Sequence, residues 1–497
     1  MNLLGIDAGT TVTKAVVIDP TGRELAVASR RVPLSYPQAR HVERDQDALW
    51  DAVIETVREV LKVVPAREIG AVGVTSHGDG IYLVDAVGRP TRPGIMSLDT
   101  RARGIVSRWE KDGVSDRALP LAGQRPWPSA PSAIIRWLVE NEPEVISRSR
   151  WALPAKDMLR HRLTGVFSTE LTEASLSFTN VRTQEYDQQI IGLYGLSDVA
   201  HLLPDVLPSI ALSGRVTAEA AEATGLLEGT PVGASAHDVD CSAIGTGVIA
   251  PGVASVVAGS FSINQVVSDE AVVGAEWCAR NFVQPGTWMN MSLSPTSAAN
   301  MEWFVQNLCA DEVERGRSQG DPLGFVEQEV RDIADDPSDI VFLPFLYGSP
   351  FPGESTGTFM GLRGWHRRGH LLRAVMEGVM FTHRHHVDAL AASFTFDTVR
   401  LTGGASRSDV WCQLFADGLG RRVEITGAQE SGALGAALLA GVAAGQFADL
   451  DDAVRATVHV ERVFTPRTDA VQRLDAAYTR FREVIVALGP IWEGTSR

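Results

Sequence analysis

The sequence is poor in cysteine, contains no long hydrophobic run and carries no excess of basic charge. Its four cysteines are widely separated, with neither a CxxC pair nor a zinc-ligand spacing, which indicates free thiols. The formal net charge of -16 argues against a nucleic-acid partner, because such a partner requires a basic surface. The N-terminal segment lacks the pattern of a signal peptide, and no apolar run is long enough to cross a bilayer. We therefore expect a cytoplasmic protein with no membrane partner.

A strand–turn–strand pattern occurs twice in the chain. The first turn is residues 7–11 (DAGTT), between two short runs of β-forming residues, and the second is residues 259–262 (GSFS). A chain of 497 residues is also longer than one hydrophobic core normally serves. We therefore predict two similar α/β domains, with a boundary near residue 247.

Both turns have the chemistry of a phosphate-binding loop. Glycine lets the backbone approach a phosphate, and hydroxyls and backbone N–H groups bind its oxygens. An ordinary hairpin turn favours the same residue types, so each turn alone is a weak signal. Asp7, directly before the first turn, is suited to hold Mg²⁺ through water. The predicted phosphate contacts are Gly9, Thr10, Thr11, Gly259 and Ser260.

A carboxylate follows the predicted strand near residue 233. Asp238 stands between this strand and a glycine-rich segment, where a side chain can enter a cleft. Phosphoryl transfer needs positioning, a metal ion and one group that accepts the hydroxyl proton. Asp238 is the candidate for the proton acceptor and for a second metal contact. The alternatives are a helix-capping role for Asp238, or Asp240 as the base.

A glycine turn follows another predicted strand near the end of the chain. Gly403, Gly404 and Ala405 leave room for an adenine ring against bare backbone, although a tight strand-to-helix turn has the same sequence. The spacing does not match the dinucleotide fingerprint, and the chain has no GKS or GKT phosphate loop. A nucleotide site in this protein must therefore be of another type.

The candidate sugar contacts lie in the first half of the chain. His77 and Asp79 follow a predicted buried strand, and carboxylate and imidazole groups are typical partners of sugar hydroxyls. Asp99 is either a further contact or half of an internal ion pair with Arg101. Trp127 lies in a proline-rich loop, where it either stacks on a sugar or packs against the protein.

Together these residues resemble the FGGY carbohydrate kinases, and the resemblance covers roughly residues 3–445. Its most specific part is residues 357–362 (GTFMGL), followed seven residues later by residues 370–377 (HLLRAVME). The chain departs from the N-terminal signature of the family, which has a lysine where Ile134 stands. Supporting matches are residues 7–11, 156–157, 163–165, 403–417 and 431–437.

The resemblance implies an α/β fold of two actin-like (ribonuclease H-like) domains with a central cleft. Residues 1–247 would bind the sugar and residues 248–497 would bind ATP. Asp238 would be the general base and Asp7 would organise Mg²⁺. The turns described above would contact the phosphates, and Gly403 and Gly404 would lie at the adenosine. A dimer is common in the family, so a homodimer is left open.

Within the family, residues 73–80 and 98–101 look most similar to those of L-xylulose kinases. The segment 78–80 (GDG) is also similar to that of erythritol kinases. We therefore expect phosphorylation of a ketopentose such as L-xylulose, with a tetritol or tetrulose as the alternative substrate. An actin-like ATPase without sugar transfer and a regulatory sugar-binding protein are the alternatives from other classes.

Overall fold

The computed structural model describes residues 1–318, 320–334, 336–351 and 355–494. Its strands are β1 (Asn2–Ala8), β2 (Val12–Ile18), β3 (Glu24–Arg31), β4 (Glu43–Arg44), β5 (Ile69–Ser76), β6 (Tyr82–Val84), β7 (Gly94–Ile95), β8 (Trp151–Leu153), β9 (Thr169–Glu170), β10 (Val206–Leu207), β11 (Leu212–Arg215), β12 (Pro231–Gly233), β13 (Gly252–Ala258), β14 (Ser262–Ser268), β15 (Cys278–Asn281), β16 (Trp288–Ser294), β17 (Val341–Leu343), β18 (Thr358–Met360), β19 (Phe396–Thr402), β20 (Arg422–Thr426) and β21 (Val460–Phe464).

The helices are α1 (Gln46–Leu61), α2 (Arg103–Lys111), α3 (Val114–Ala122), α4 (Pro131–Asn141), α5 (Pro143–Arg148), α6 (Ala155–Thr164), α7 (Leu171–Ala174), α8 (Gln188–Leu193), α9 (Ala218–Thr224), α10 (Asp238–Gly245), α11 (Ala299–Leu308), α12 (Ala310–Ser318), α13 (Gly324–Arg331), α14 (Arg368–Ala391), α15 (Asp409–Leu419), α16 (Ser431–Ala443), α17 (Leu450–Thr457) and α18 (Thr468–Gly494). Short 3₁₀ helices cover Ala66–Glu68, Ser197–Leu202 and Gly404–Arg407. Within the described part of the chain, no helix has the length and apolarity needed to cross a bilayer.

The chain forms two compact units that are not contiguous in sequence. The first contains residues 1–250, 267–290 and 427–459, and the second contains residues 251–266, 291–426 and 460–497. Two segments beyond residue 250 thus belong to the first unit, and the domain boundary predicted between residues 247 and 248 stays a prediction. The predicted roles of the two domains in binding sugar and ATP stay predictions.

The first unit is built on a six-stranded sheet in the order β11-β12-β5-β1-β2-β3. Strand β1 pairs antiparallel with β2 and parallel with β5, which pairs parallel with β12. Helix α1 begins at the cap Asp45, whose side chain accepts from the backbone N–H groups of Asp47 and Ala48. Its buried apolar residues pack in one core with those of β1, β2 and β5.

The opposite face of this sheet is covered by α16. A Cβ atom at Gly5 of β1 would lie 2.0 Å from the Ala433 carbonyl oxygen, and one at Gly73 of β5 would lie 1.9 Å from the Ala436 carbonyl oxygen. Only glycine permits so close an approach of helix and strand backbones. The helix is itself rich in glycine and alanine, which keeps its surface low enough for this close packing.

The second unit repeats the strand order of the first. Its strands β14-β13-β19-β20-β21 are neighbours in that order, with β14 antiparallel to β13 and with β13, β19 and β20 parallel. The sequence β2-β1-β5-β12 of the first unit has the same directions. Both predicted hairpin turns therefore lie at equivalent points, each between the first two strands of its unit.

Candidate functional site

Asp238 is the first residue of α10, directly after the segment that connects this helix to β12. The connecting residues are fixed by groups from several elements. The Ala234 carbonyl oxygen lies 3.4 Å from Lys156 Nζ and 3.3 Å from Arg160 Nη1. The Thr75 hydroxyl donates to the Ala236 carbonyl oxygen at 2.8 Å. The segment before Asp238 is therefore rigidly held.

The last residue of this segment, His237, is held by Thr172. The backbone N–H of His237 donates to Thr172 Oγ1 at 2.9 Å, and this hydroxyl donates to Glu170 Oε1 at 2.7 Å. Lys156 Nζ lies 3.3 Å from the same Glu170 oxygen and 2.7 Å from Asp157 Oδ1. All of these side chains are buried. A chain of charged and hydroxyl groups thus connects α6 and α7 to the start of α10.

Asp238 differs from its neighbour Asp240 in access to solvent. The Asp238 side chain is 33% exposed, whereas that of Asp240 is 4% exposed. Burial by the surrounding protein, followed by the negative charge of Asp7, raises the pKa of Asp238 to about 8. A raised pKa makes the ionised carboxylate a stronger proton acceptor, and the exposed part of the Asp238 side chain gives a ligand access to it. The structure therefore favours Asp238 over Asp240 as the reactive group.

Asp79 presents one free oxygen atom. It lies in the turn after β5 with a positive φ of 59°, an uncommon conformation for aspartate. Its Oδ2 atom accepts a hydrogen bond of 3.0 Å from Trp127 Nε1, while its buried Oδ1 has no hydrogen-bond partner among the described residues. Burial raises the pKa of Asp79 to about 6. A buried acceptor without a donor is suited to a ligand hydroxyl.

Arg280 was not predicted from the sequence, and it lies beside the same tryptophan. Its guanidinium carbon is 5.1 Å from the centre of the Trp127 ring, and its Nε donates to Gln124 Oε1 at 2.9 Å. Gln124 in turn donates to the Ser175 carbonyl oxygen at 2.6 Å. One face of Trp127 is thus in contact with Arg280, and the predicted contact of this ring with a sugar stays a prediction. A charged residue within the short, mostly buried strand β15 was the only local signal.

His77, a predicted sugar contact, is buried beside the turn of Asp79. The residue is 3% exposed, its Nδ1 lies 3.2 Å from the Gly78 carbonyl oxygen, and its Nε2 lies 3.3 Å from the Tyr82 hydroxyl. Burial lowers the pKa of His77 to about 3, which keeps the ring neutral. This histidine supports the turn that carries Asp79, and its ring nitrogens are already occupied.

Asp99 forms the internal ion pair that was the alternative to a sugar contact. It is fully buried, and Arg101 donates to its two carboxylate oxygens through Nε at 3.0 Å each and through Nη2 at 2.8 Å. The backbone N–H of Val42 also donates to Oδ2 at 2.7 Å. These donors satisfy the carboxylate, so we exclude Asp99 from the candidate site.

The first hairpin turn is supported from below by Arg44. This buried side chain donates to the backbone carbonyl oxygens of Gly9 and Thr10. Its hydrogen bonds therefore do not involve the threonine hydroxyls of the turn. Thr11 is exposed and Thr10 half-buried. The turn therefore has a fixed backbone and accessible hydroxyl groups, which is the arrangement that a phosphate contact requires.

Asp7 precedes this turn, and its negative charge contributes to the raised pKa of Asp238. Burial raises the pKa of Asp7 to about 6, opposed by Lys14, which pairs with Glu430 at 2.7 Å. Among the described residues, no group of three or more His, Cys, Asp and Glu side chains could hold a metal ion. Mg²⁺ usually takes only one or two protein carboxylates together with water and phosphate oxygens, so Asp7 and Asp238 fit this ion.

The predicted nucleotide residues of the second unit lie together. Gly259 and Ser260 form the turn between β13 and β14, and Ser260 is exposed. Gly403 follows β19 with a φ of 86°, and a Cβ atom there would lie 2.5 Å from the Ala258 carbonyl oxygen and 3.0 Å from Gly259 N. The two glycine turns thus meet at one edge of the sheet. Gly404 begins the adjoining 3₁₀ helix, in which Ala405 is buried.

The second hairpin is supported by a histidine of α14. His383 Nδ1 lies 3.0 Å from Ser262 Oγ and 2.8 Å from Asn264 Oδ1, and its Nε2 lies 2.8 Å from Ser297 Oγ. Burial lowers the pKa of His383 to about 3. This neutral histidine connects α14 to β14 and to the segment before α11, and its nitrogens are occupied by these partners.

Two domain descriptions match the chain over most of its length. Residues 2–245 match the N-terminal domain, and residues 254–444 the C-terminal domain, of the FGGY family of carbohydrate kinases. The chain belongs to this family. The FGGY prediction is thereby confirmed, and the protein is a carbohydrate kinase. Kinases of this family use ATP as the phosphate donor.

Individual FGGY proteins are similar along the entire chain. An L-xylulose/3-keto-L-gulonate kinase of Escherichia coli (strain K12) is 34% identical over 495 residues, which cover 98% of this chain and 97% of the relative. An erythritol kinase of Brucella abortus (strain 2308) is 29% identical over 510 residues, covering 99% and 97%. The crystal structure of xylulose kinase from Rhodospirillum rubrum has a TM-score of 0.88 and 26% identity, covering 99% and 100%. The predicted fold of two actin-like domains is confirmed.

Proposed function

We propose that this FGGY kinase phosphorylates a hydroxyl group of a ketopentose, with L-xylulose as the first candidate. The similarity to the Escherichia coli kinase is the observation that carries this substrate class. The free Oδ1 atom of Asp79, close to the neutral and rigid turn of His77, supports a polyhydroxylated ligand. A tetritol is the second candidate, since the erythritol kinase of Brucella abortus is also a full-length relative.

We assign the proton transfer to Asp238. The carboxylate accepts the proton of the sugar hydroxyl as its oxygen bonds to the γ-phosphoryl group of ATP, and ADP leaves. The fixed segment before α10 orients this carboxylate. Asp79 accepts a second hydroxyl and thereby orients the sugar. When bound, Mg²⁺ would neutralise phosphate charge, and the carboxylates of Asp7 and Asp238 would hold it, largely through water.

We assign phosphate contacts to the two hairpin turns and the adenosine to the glycine turn. Thr10, Thr11 and Ser260 offer hydroxyls, and Gly9 and Gly259 offer accessible backbone. Gly403, Gly404 and Ala405 offer backbone without a bulky side chain. These assignments rest on the residue types, the exposure of the turns and the family of the chain.

The test is ADP release from Mg·ATP with a panel of sugars. The panel contains L- and D-xylulose, L- and D-ribulose, erythritol, L-erythrulose, glycerol and gluconate, with Asp238→Asn as the inactive control. Strong stimulation by one ketopentose, lost in the variant, is the expected result. Preference for erythritol or L-erythrulose would overturn the ketopentose assignment and leave the kinase intact. ATP hydrolysis that no member of a widened panel stimulates would favour the actin-like ATPase alternative.

A further inference from the structure

Arg280 is a buried cation with no direct ion pair among the described residues, although its charge acts on the nearby carboxyl groups of Asp79 and Asp238. It is 6% exposed, and among the described residues no carboxylate oxygen lies within 4.0 Å of its guanidinium nitrogens. Buried arginines are normally paired, because an isolated charge in the protein interior is costly. Its Nε donates to Gln124 Oε1, and its guanidinium stacks on Trp127. Apart from an interaction with the thiol of Cys278, the two Nη groups are the part of the side chain that remains for another partner among the described residues.

Trp127 fixes Arg280 and Asp79 relative to each other. The indole edge donates from Nε1 to Asp79 Oδ2 at 3.0 Å, and the indole face carries the guanidinium, whose central carbon lies 5.1 Å from the ring centre. The nearby positive charge of Arg280 also opposes the rise in the pKa of Asp79 that burial causes. The carboxylate of Asp79, which accepts, therefore lies at the edge of one rigid ring, and the guanidinium of Arg280, which only donates, lies on the face of the same ring.

These two groups select for complementary chemistry in a ligand. Asp79 Oδ1 accepts a hydrogen bond, so it requires a hydroxyl that donates. Arg280 only donates, so it requires an oxygen that accepts, and a ketone oxygen does so without a proton of its own to satisfy. A hydroxyl in place of the ketone would have to direct its proton elsewhere in a buried site. An α-hydroxy ketone fits both groups.

We infer that Arg280 is a substrate-binding residue that donates to the ketone oxygen of the sugar and thereby distinguishes ketoses from alditols. This inference rests on the proposed function, because it concerns the sugar site of the same kinase. Gln124 and Trp127 are then positioning residues. Gln124 holds the guanidinium at its Nε atom, and Trp127 holds it by its face.

The test compares L-xylulose with xylitol, which carries a hydroxyl in place of the ketone. The steady-state rate of ADP release is measured for the wild-type chain, Arg280→Met and Arg280→Lys. Loss of a hydrogen bond to a charged group is expected to lower kcat/KM for L-xylulose about 100-fold in Arg280→Met, and for xylitol less than about 10-fold. Arg280→Lys keeps a donor and is expected to retain part of the preference for the ketose.

Arg150→Met is the matched control. Arg150 also stacks on a tryptophan, at 3.8 Å from the Trp151 ring centre, but it is exposed. Its loss should leave both kcat/KM values within about twofold, as is usual for surface substitutions.

Three results would overturn the inference. The first is an equal loss of kcat/KM for both substrates in Arg280→Met. The second is a preference for the ketose that is unchanged in both Arg280→Lys and Arg280→Met. The third is a wild-type preference for xylitol. If thermal unfolding shows that Arg280→Met is not folded, the ratio of kcat/KM for L-xylulose to kcat/KM for xylitol in Arg280→Lys decides. A wild-type chain that phosphorylates no sugar would instead contradict the proposed function, before Arg280 is tested.

Discussion

The ring of His237 lies directly against the backbone of Gly78. A Cβ atom at position 78 would come within 1.5 Å of His237 Nε2, and His237 is itself buried, with 4% exposed. Burial lowers the pKa of His237 well below its usual value, so this contact involves a neutral ring. The two residues connect the turn of Asp79 with the helix that begins at Asp238.

We expect Gly78→Ala to lower turnover strongly, by at least about tenfold, because the methyl group must displace His237 and with it Asp238. Steady-state ADP release with the best sugar measures this loss. Gly104→Ala is the control, since a Cβ atom there would meet no atom within 4 Å. Full activity of a folded Gly78→Ala variant would show that the position of His237 is not important.

Asp238→Asn should lose turnover and gain stability at alkaline pH. Removal of the general base is expected to lower kcat at least about 100-fold. The pKa of Asp238 is raised to about 8 in the folded chain, so the carboxyl favours folding below its usual pKa and loses that contribution as the pH rises towards 8. The midpoint of thermal unfolding of the variant, relative to wild type, should therefore increase between pH 5 and pH 8.5. A difference that is constant with pH would contradict the raised pKa.

Trp127→Phe should weaken sugar binding in a pH-dependent way. The indole N–H bond lowers the pKa of Asp79, so its loss raises this pKa further and leaves more of the carboxyl protonated near neutral pH. We expect the KM for the sugar to rise several-fold, and more at pH 6 than at pH 8, with the KM for ATP unchanged. Trp137→Phe is the control, because that ring lies beside Arg101. An equal rise at both pH values would argue against a titrating Asp79.

Thr172→Val tests the hydroxyl that holds the start of α10. The substitution keeps the shape of the side chain but removes the acceptor of the His237 N–H group and the donor to Glu170. We expect kcat to fall about tenfold, because the start of α10 loses the hydrogen bond that holds the His237 N–H group, with little change in either KM. Thr172→Ser should restore kcat. Thr56→Val is the matched control, since the buried Thr56 hydroxyl bonds only to carbonyl oxygens of its own helix. An equal loss in both valine variants would indicate a general effect on stability.

Local features could be predicted from the sequence, and contacts between distant segments could not. The turns around Gly9, Gly259 and Gly403 are recognisable from their residue types, and at Gly403 the positive φ of 86° favours glycine. Asp79 and Asp238 were indicated by their positions directly after predicted strands. By contrast, Arg280 and Gln124 are 156 residues apart, and neither has a signal of its own. The sequence left two roles open for Asp99, and only the structure shows its buried ion pair with Arg101, because burial and partners cannot be read from the sequence.

The return of α16 to the first unit has a consequence for synthesis on the ribosome. Lys14 and Glu430 form an ion pair although they are 416 residues apart, and α16 covers β1 and β5 immediately after Glu430. Until that helix has been made, one face of the N-terminal sheet lacks its cover, and nascent chains expose it to aggregation and to chaperones. A nonsense mutation before residue 427 would therefore yield a product destined for proteolysis. For the same reason, the gene cannot be divided near residue 250 into two independently folding halves.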